Sequence, residues 1–277
     1  MTSELPMSSN DKSVEFLYGT KLGRGILSTA LAIKIPALLG LFLRSPLSHF
    51  YIKKFIRKNN IDMTPWQGKK FGSFNDFFTR KKEITFDAET SHLISPADSS
   101  LSVYSITPES TFHIKGADYS MHDFFQCDDF NEKFNGGLCL VFRLAATDYH
   151  RYCYIDDGSI GENHFIKGKL YSVQPLPLEK YRVFTKNRRT WAIMQTANFG
   201  TVAQIEVGAF SVGGIQNHDS NASFKKGQEK GYFDLHGSTI VLLFEKDKVE
   251  LLEEVIKATQ GGEEFRVKCG QYIGNKR

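Results

Sequence analysis

At 277 residues the chain is long enough to bury a sizeable core, as one large domain or two small ones. Hydrophobic residues at 41% and charged residues at 24% exclude a disordered chain, and 23 Gly and 8 Pro without a period exclude a collagen-like or low-complexity one. The net charge of +4 is local: residues 1–60 sum to +6 and the remainder to −2.

In chain order, the opening residues carry Glu4, Asp11 and Glu15 with no apolar run behind a basic start, so no secretory signal is expected. Residues 26–43 are the most apolar stretch, but Lys34 and Pro36 interrupt it short of the roughly 18 to 20 residues that span a bilayer. The pattern predicts two short helices broken at Pro36, then a basic helix over 46–59 carrying Tyr51, Lys53, Lys54, Phe55, Arg57 and Lys58. Two readings of this segment stand side by side. In one the helices lie at an anionic membrane surface; in the other they form a hairpin packed on their own domain, with the cations merely solvated. Nucleic acid is not expected as a partner, because the charge is confined to one end and no binding motif accompanies it.

After a loop over 62–72, Ser73-Phe-Asn-Asp76 has the spacing of a helix start, with Phe77 and Phe78 facing a core. The sequence then changes to short runs rich in Val, Ile, Phe and Tyr, separated by Gly, Asn or Asp. Residues 101–106, 138–144, 191–196, 202–207 and 239–244 read as strands. A second helix start appears at Ser120-Met-His-Asp123, and residues 248–259 read as a C-terminal helix ended by Gly261-Gly262. The 23 Phe and 11 Tyr suit a body of strands. The expected fold is α+β, a helical N-terminal segment over 1–70 beside a mostly antiparallel, barrel-like or sandwich-like β body over 71–277. Cys127, Cys139, Cys153 and Cys269 show no CxxC spacing, so no metal site is read, and free thiols on the cytosolic side are expected.

Three clusters place reactive groups beside tight turns. Ser95-Pro-Ala-Asp98 holds an acid after a Pro-restrained turn, and Asp148-Tyr-His-Arg-Tyr-Cys153 gathers His, Cys, Arg and an acid just after a strand. The third runs from Lys226 to Thr239 and puts Gly237-Ser238 at a strand start, where a glycine carbonyl is open to attack by the next hydroxyl. Turn chemistry, a hydrogen-bonded histidine and a hairpin cap explain each cluster singly without catalysis.

Taken in order, Phe74-Asn-Asp-Phe-Phe-Thr-Arg80, Ser95-Pro-Ala-Asp98, Asp148-Tyr-His-Arg151 and Gly237-Ser-Thr-Ile-Val-Leu-Leu-Phe244 resemble the phosphatidylserine decarboxylase family. Lesser matches lie at Lys115-Gly116 with Tyr119-Ser120, at Val207-Gly-Ala209 and from Gly227 to Phe233. The resemblance implies conversion of phosphatidylserine to phosphatidylethanolamine and carbon dioxide by a self-processing enzyme. Its cofactor would be a pyruvoyl group made from Ser238 by cutting between Gly237 and Ser238, with Asp98 orienting the base in processing and His150 acting in decarboxylation. It further implies a peripheral place at the cytoplasmic face of an anionic bacterial membrane, and it admits a homodimer.

This chain departs from the family at Cys153, where a second histidine commonly joins the Asp and Ser in processing. A thiol of reference pKa about 8.5 beside a carboxylate is mostly protonated at neutral pH and a poor base. The base is therefore expected on His150 first and His236, next to the scissile bond, second, with Cys153 kept as a participant to be tested. Two other functions compete: a pyruvoyl-dependent decarboxylase of a soluble amino acid, and a non-processing lipid-binding protein.

Overall fold

A computed structural model describes residues 9–32, 35–107, 111–114, 117–127, 129–130, 132–169, 171, 183–208, 214–235 and 238–277. The chain opens with helices Ser9–Gly19, Lys21–Ala32 and Ile35–Arg44. Pro36 falls in the first turn of the third, where a missing N–H interrupts no helical bond. A 3-10 turn Pro46–Ser48 leads into His49–Asn59, which ends because Asn60 turns left-handed at φ 50°. The helix Phe74–Phe78 starts where expected, with Ser73 Oγ accepting the Asp76 N–H at 3.1 Å. At Ser120 a full capping box opens Met121–Phe125.

The β body is built on a nine-stranded antiparallel sheet. Its order is Ala222–Phe224, Gly158–Ile160, Arg189–Thr196, Gly200–Gly208, Ser238–Phe244, Leu138–Leu144, Ser99–Ser105, Phe265–Val267, with His164–Ile166 also paired to Arg189–Thr196. Among the described residues this path ends on two edge strands, so the barrel-like alternative is corrected: the sheet is open. Apolar layers cover both faces. Leu101, Phe142, Ile240 and Leu242 pack on residues of two three-stranded sheets, including Ile94, Ile273, Tyr152 and Phe233. On the other face Val141, Ala203, Ile205, Val241 and Leu243 meet Phe124, Phe125, Phe134 and Trp191. All of Ser238–Phe244 is buried, which is why the strand reads as an unbroken apolar run.

A third cluster joins the helical segment to the body: Leu43, Ile52 and Trp66 pack with Phe74, Phe77, Phe78, Tyr149 and Leu235. Only at the C-terminal end does the sequence expectation miss the element type. The start of 248–259 is a strand, Val249–Leu251, and the helix is Glu253–Gln260. Val249 and Leu251 are buried and Glu250 is exposed, a period of two that pairs them with Tyr272–Lys276.

Candidate active site

Strand register brings the sequence clusters to one end of the large sheet. Ser238, the first residue of its strand, pairs with Leu144, the last of Leu138–Leu144, and with Gly208 on its other side. Ser100 pairs with Arg143 on the next strand over. Asp98, just before that strand, thus lies two strand spacings from Ser238, roughly 10 Å between backbones.

The Ser95-Pro-Ala-Asp98 turn is held from several sides. Ser95 Oγ donates to Ala97 O at 2.8 Å, and the Cys153 N–H donates to Pro96 O at 2.9 Å. The buried Asp98 carboxylate accepts the Cys269 N–H at 2.9 Å and Lys268 Nζ at 3.2 Å. Cys153 Sγ sits 3.6 Å from Cys269 Sγ, both as free thiols, so Cys269 links Cys153 to Asp98. The hydrogen bond with Cys153, then burial, pushes the Cys269 thiol well above its usual range, with Asp98 adding to it.

Asp148 is structural. Its carboxylate accepts the Ala145 N–H at 2.8 Å and takes Arg266 at 2.7 and 3.2 Å, closing the turn that follows Leu144. That turn delivers His150, fully buried, with its ring 4.0 Å from that of Phe78. His150 Nδ1 lies 2.9 Å from Asp148 O. A carbonyl only accepts, so Nδ1 carries a proton, and in the neutral ring Nε2 is then the basic nitrogen. The His150 carbonyl in turn accepts the Phe233 N–H at 2.9 Å, tying the histidine to the strand five residues before Ser238.

Ser238 is 1% exposed, and its Oγ has no hydrogen-bond partner among the described residues. An orphaned buried hydroxyl is costly, and such groups mark function. Opposite it stands Gly208, which has no side chain to partner the hydroxyl. The site therefore fits a group made from Ser238 itself. Gly237 and His236 lie outside the described residues.

A cleft of about 820 Å³ opens beside this machinery, with Asp98, Asp148, Tyr149, Cys269, Arg80 and Trp66 on its wall; Ser238 and His150 are not on it. The structure thus brings Asp98 and Cys153 together through Cys269, and His150 and Ser238 to the same sheet end. Sequence reasoning missed Cys269, Lys268 and Arg266. The available signal was the alternation Arg266, Val267, Lys268, in which Val267 is buried and the two flanking cations reach Asp148 and Asp98.

Fold and site together define an α+β protein with a buried serine and a buried histidine at one end of its large antiparallel sheet, and comparison with known proteins says to which family it belongs. A family model described as phosphatidylserine decarboxylase matches residues 74–275. The chain is 43% identical to phosphatidylserine decarboxylase proenzyme 2 of Clostridium acetobutylicum, over 94% of this chain and 91% of that protein. It is 38% identical to the phosphatidylserine decarboxylase proenzymes of Clostridium tetani, over 99% and 95% of the two chains, and Clostridium perfringens strain SM101, over 96% and 93%. The chain belongs to the phosphatidylserine decarboxylase family.

Proposed function

We infer that this enzyme decarboxylates phosphatidylserine to phosphatidylethanolamine after cutting its own chain between Gly237 and Ser238. The observation that carries the reading is the buried, unpartnered Ser238 hydroxyl at the head of a central strand, in a chain whose relatives are named proenzymes.

Ser238 Oγ attacks the Gly237 carbonyl carbon, and the amide nitrogen leaves to give an ester. β-Elimination releases Gly237 as a carboxylate and leaves dehydroalanine at 238. Water adds, ammonia departs, and a pyruvoyl group caps residues 238–277. A base must take the hydroxyl proton and return it to the nitrogen; His150, with Nδ1 fixed on Asp148 O, offers Nε2 for this. Asp98 keeps the turn beside the site in place through Cys269. When formed, the pyruvoyl group supplies the electron sink for loss of carbon dioxide. His150, buried against Phe78, then suits delivery of a proton to the carbon that lost it.

Access of a lipid substrate is supported by the helical segment. Leu38, Leu41, Leu47 and Phe50 are 63 to 73% exposed beside the cations Arg44, Lys53 and Lys54. Among the described residues no helix is long and apolar enough to cross a membrane. That surface supports a reading in which residues 1–70 dock on an anionic membrane surface and residues 71–277 are the catalytic part.

Intact-mass measurement tests the reading. The expected result is a fragment ending at Gly237 and a second, residues 238–277, blocked by pyruvate, while Ser238→Ala gives only the whole chain. An uncut parent with an unmodified Ser238 after long incubation would overturn self-processing and favour the lipid-binding alternative.

A further inference from the structure

We propose that Arg80, with Lys82 beside it, forms an oxyanion seat in the cleft that takes the phosphate of the phospholipid head group. The assignment deepens the phosphatidylserine reading and rests on it.

Arg80 follows the helix Phe74–Phe78 and is 5% exposed. Its guanidinium carbon lies 4.6 Å from the ring centroids of both Trp66 and Phe77, and Nη1 donates to Phe77 O at 3.2 Å. Among the described residues the buried Nε has no hydrogen-bond partner, and no carboxylate comes within ion-pair distance of the group. Burial lowers its pKa to about 10, so it stays cationic at neutral pH. Guanidinium groups buried this far are usually paired, and their planar fork of donors matches phosphate.

Of the carboxylates on the cleft wall, Asp98, Asp148 and Asp62 already have partners. Asp98 holds Lys268 and the Cys269 N–H, and Asp148 holds Arg266 through both oxygens. Asp62 accepts the Thr64 N–H, and Glu83 is exposed. Lys82 adds a second cation, its Nζ 4.7 Å from the Tyr149 centroid and 5.9 Å from that of Trp66, with no carboxylate within ion-pair distance among the described residues. The cleft thus presents two cations that, among the described residues, make no direct ion pair, with Asp98 and Asp148 acting on Arg80 and Asp62 on Lys82 only at longer range.

Position selects which anion they take. The wall includes Asn59, Asn60 and Trp66, so the cleft opens where the basic helix His49–Asn59 meets the body. A phosphodiester lies between the acyl-bearing glycerol and the reacting serine, and the cleft wall runs from Asn59 and Asn60 at the end of the basic helix to Asp98 and Cys269. Ion-pairing the substrate carboxylate would stabilise the ground state and oppose loss of carbon dioxide, so a strong cationic seat belongs under the anion that does not react.

The test is run on full-length protein, with turnover of phosphatidylserine in mixed micelles measured first; a correctly processed parent without turnover strikes the phosphatidylserine reading and leaves the seat to be judged by binding. Binding is followed through Trp66 emission in uncut Ser238→Ala protein titrated with glycerophosphoserine, inorganic phosphate or serine. Saturable binding of glycerophosphoserine, tighter than serine and displaced by phosphate, is expected. Arg80→Gln should weaken it roughly 10- to 100-fold, the range of a charge-assisted contact, and Arg80→Lys less. In processed enzyme the same changes should raise KM more than they lower kcat. Should Arg80→Gln fail to fold, Lys82→Gln, at a half-buried position, is expected to weaken binding about threefold or more. Serine binding as tightly as glycerophosphoserine, or unchanged affinity in the folded variants, overturns the seat. Phosphate that binds without displacing glycerophosphoserine marks a free-phosphate site and overturns the head-group assignment.

Discussion

Cys153 is where this chain parts from its family's usual pattern, a buried thiol in place of the usual histidine. It is fully buried against Cys269, which hydrogen bonding, burial and the nearby Asp98 all keep protonated. His150, by contrast, has its tautomer set by a carbonyl. Cys153→Ala is therefore expected to cut at a rate within a few-fold of the parent, whereas His150→Ala cuts slowly and turns over poorly even when cut. A time course of fragment appearance checks both, with His236→Ala run beside them. Cleavage lost in Cys153→Ala and retained in His150→Ala would make the thiol the base. The acid, the histidine and the serine were each legible in sequence because every one sits in its own short motif. Cys269 was not, since its meaning comes from a contact with Cys153 116 residues away.

Elements were legible in proportion to how local their causes are. Ser73 and Ser120 cap the helices that their spacing predicts, and Leu138–Leu144 has the bounds of its apolar run. The strand Val249–Leu251 was hidden because its pairing partner, Tyr272–Lys276, comes later in the chain. Least legible was the join between Gly200–Gly208 and Glu229–Phe233. There Lys230 Nζ reaches Glu206 at 2.7 Å with both side chains fully buried, and Thr190, Gln204 and Asn217 supply further hydrogen bonds. Glu206 pairs with Ile240, two residues along the strand from Ser238. Removing one member of a buried pair strands the other, at a cost of about 3 to 5 kcal/mol. Lys230→Met in the uncut Ser238→Ala background is expected to lose that much in urea unfolding, and Lys230→Met with Glu206→Gln to recover much of it. A loss under about 1 kcal/mol would mean that the pair does not act as an ion pair.

At the scale of the molecule, composition located a basic, apolar N-terminal segment but left two uses for it equally open. Burial now separates its residues by role. Leu43 and Ile52 face the body, packing with Phe74, Phe77 and Leu235, and Arg44 reaches Asp234 at 2.9 Å, so part of the segment is structural. Leu38, Leu41, Leu47 and Phe50 face outward, as do Lys53, Lys54, Arg57 and Lys58. The two sets can be altered without touching the join. Charge reversal at the four cations should weaken binding to anionic vesicles in a salt-sensitive way, since each basic residue near such a surface is worth about 1 kcal/mol. Serine at the four outward apolar positions should weaken it independently of salt, because what is lost is buried apolar area rather than Coulomb attraction. Vesicle sedimentation at low and high salt reads both effects, and fragment formation in each variant verifies that the body still folds and cuts. Binding unchanged in both variants would assign the whole segment to structure, and with the dock gone a soluble amino acid would become the better substrate to try.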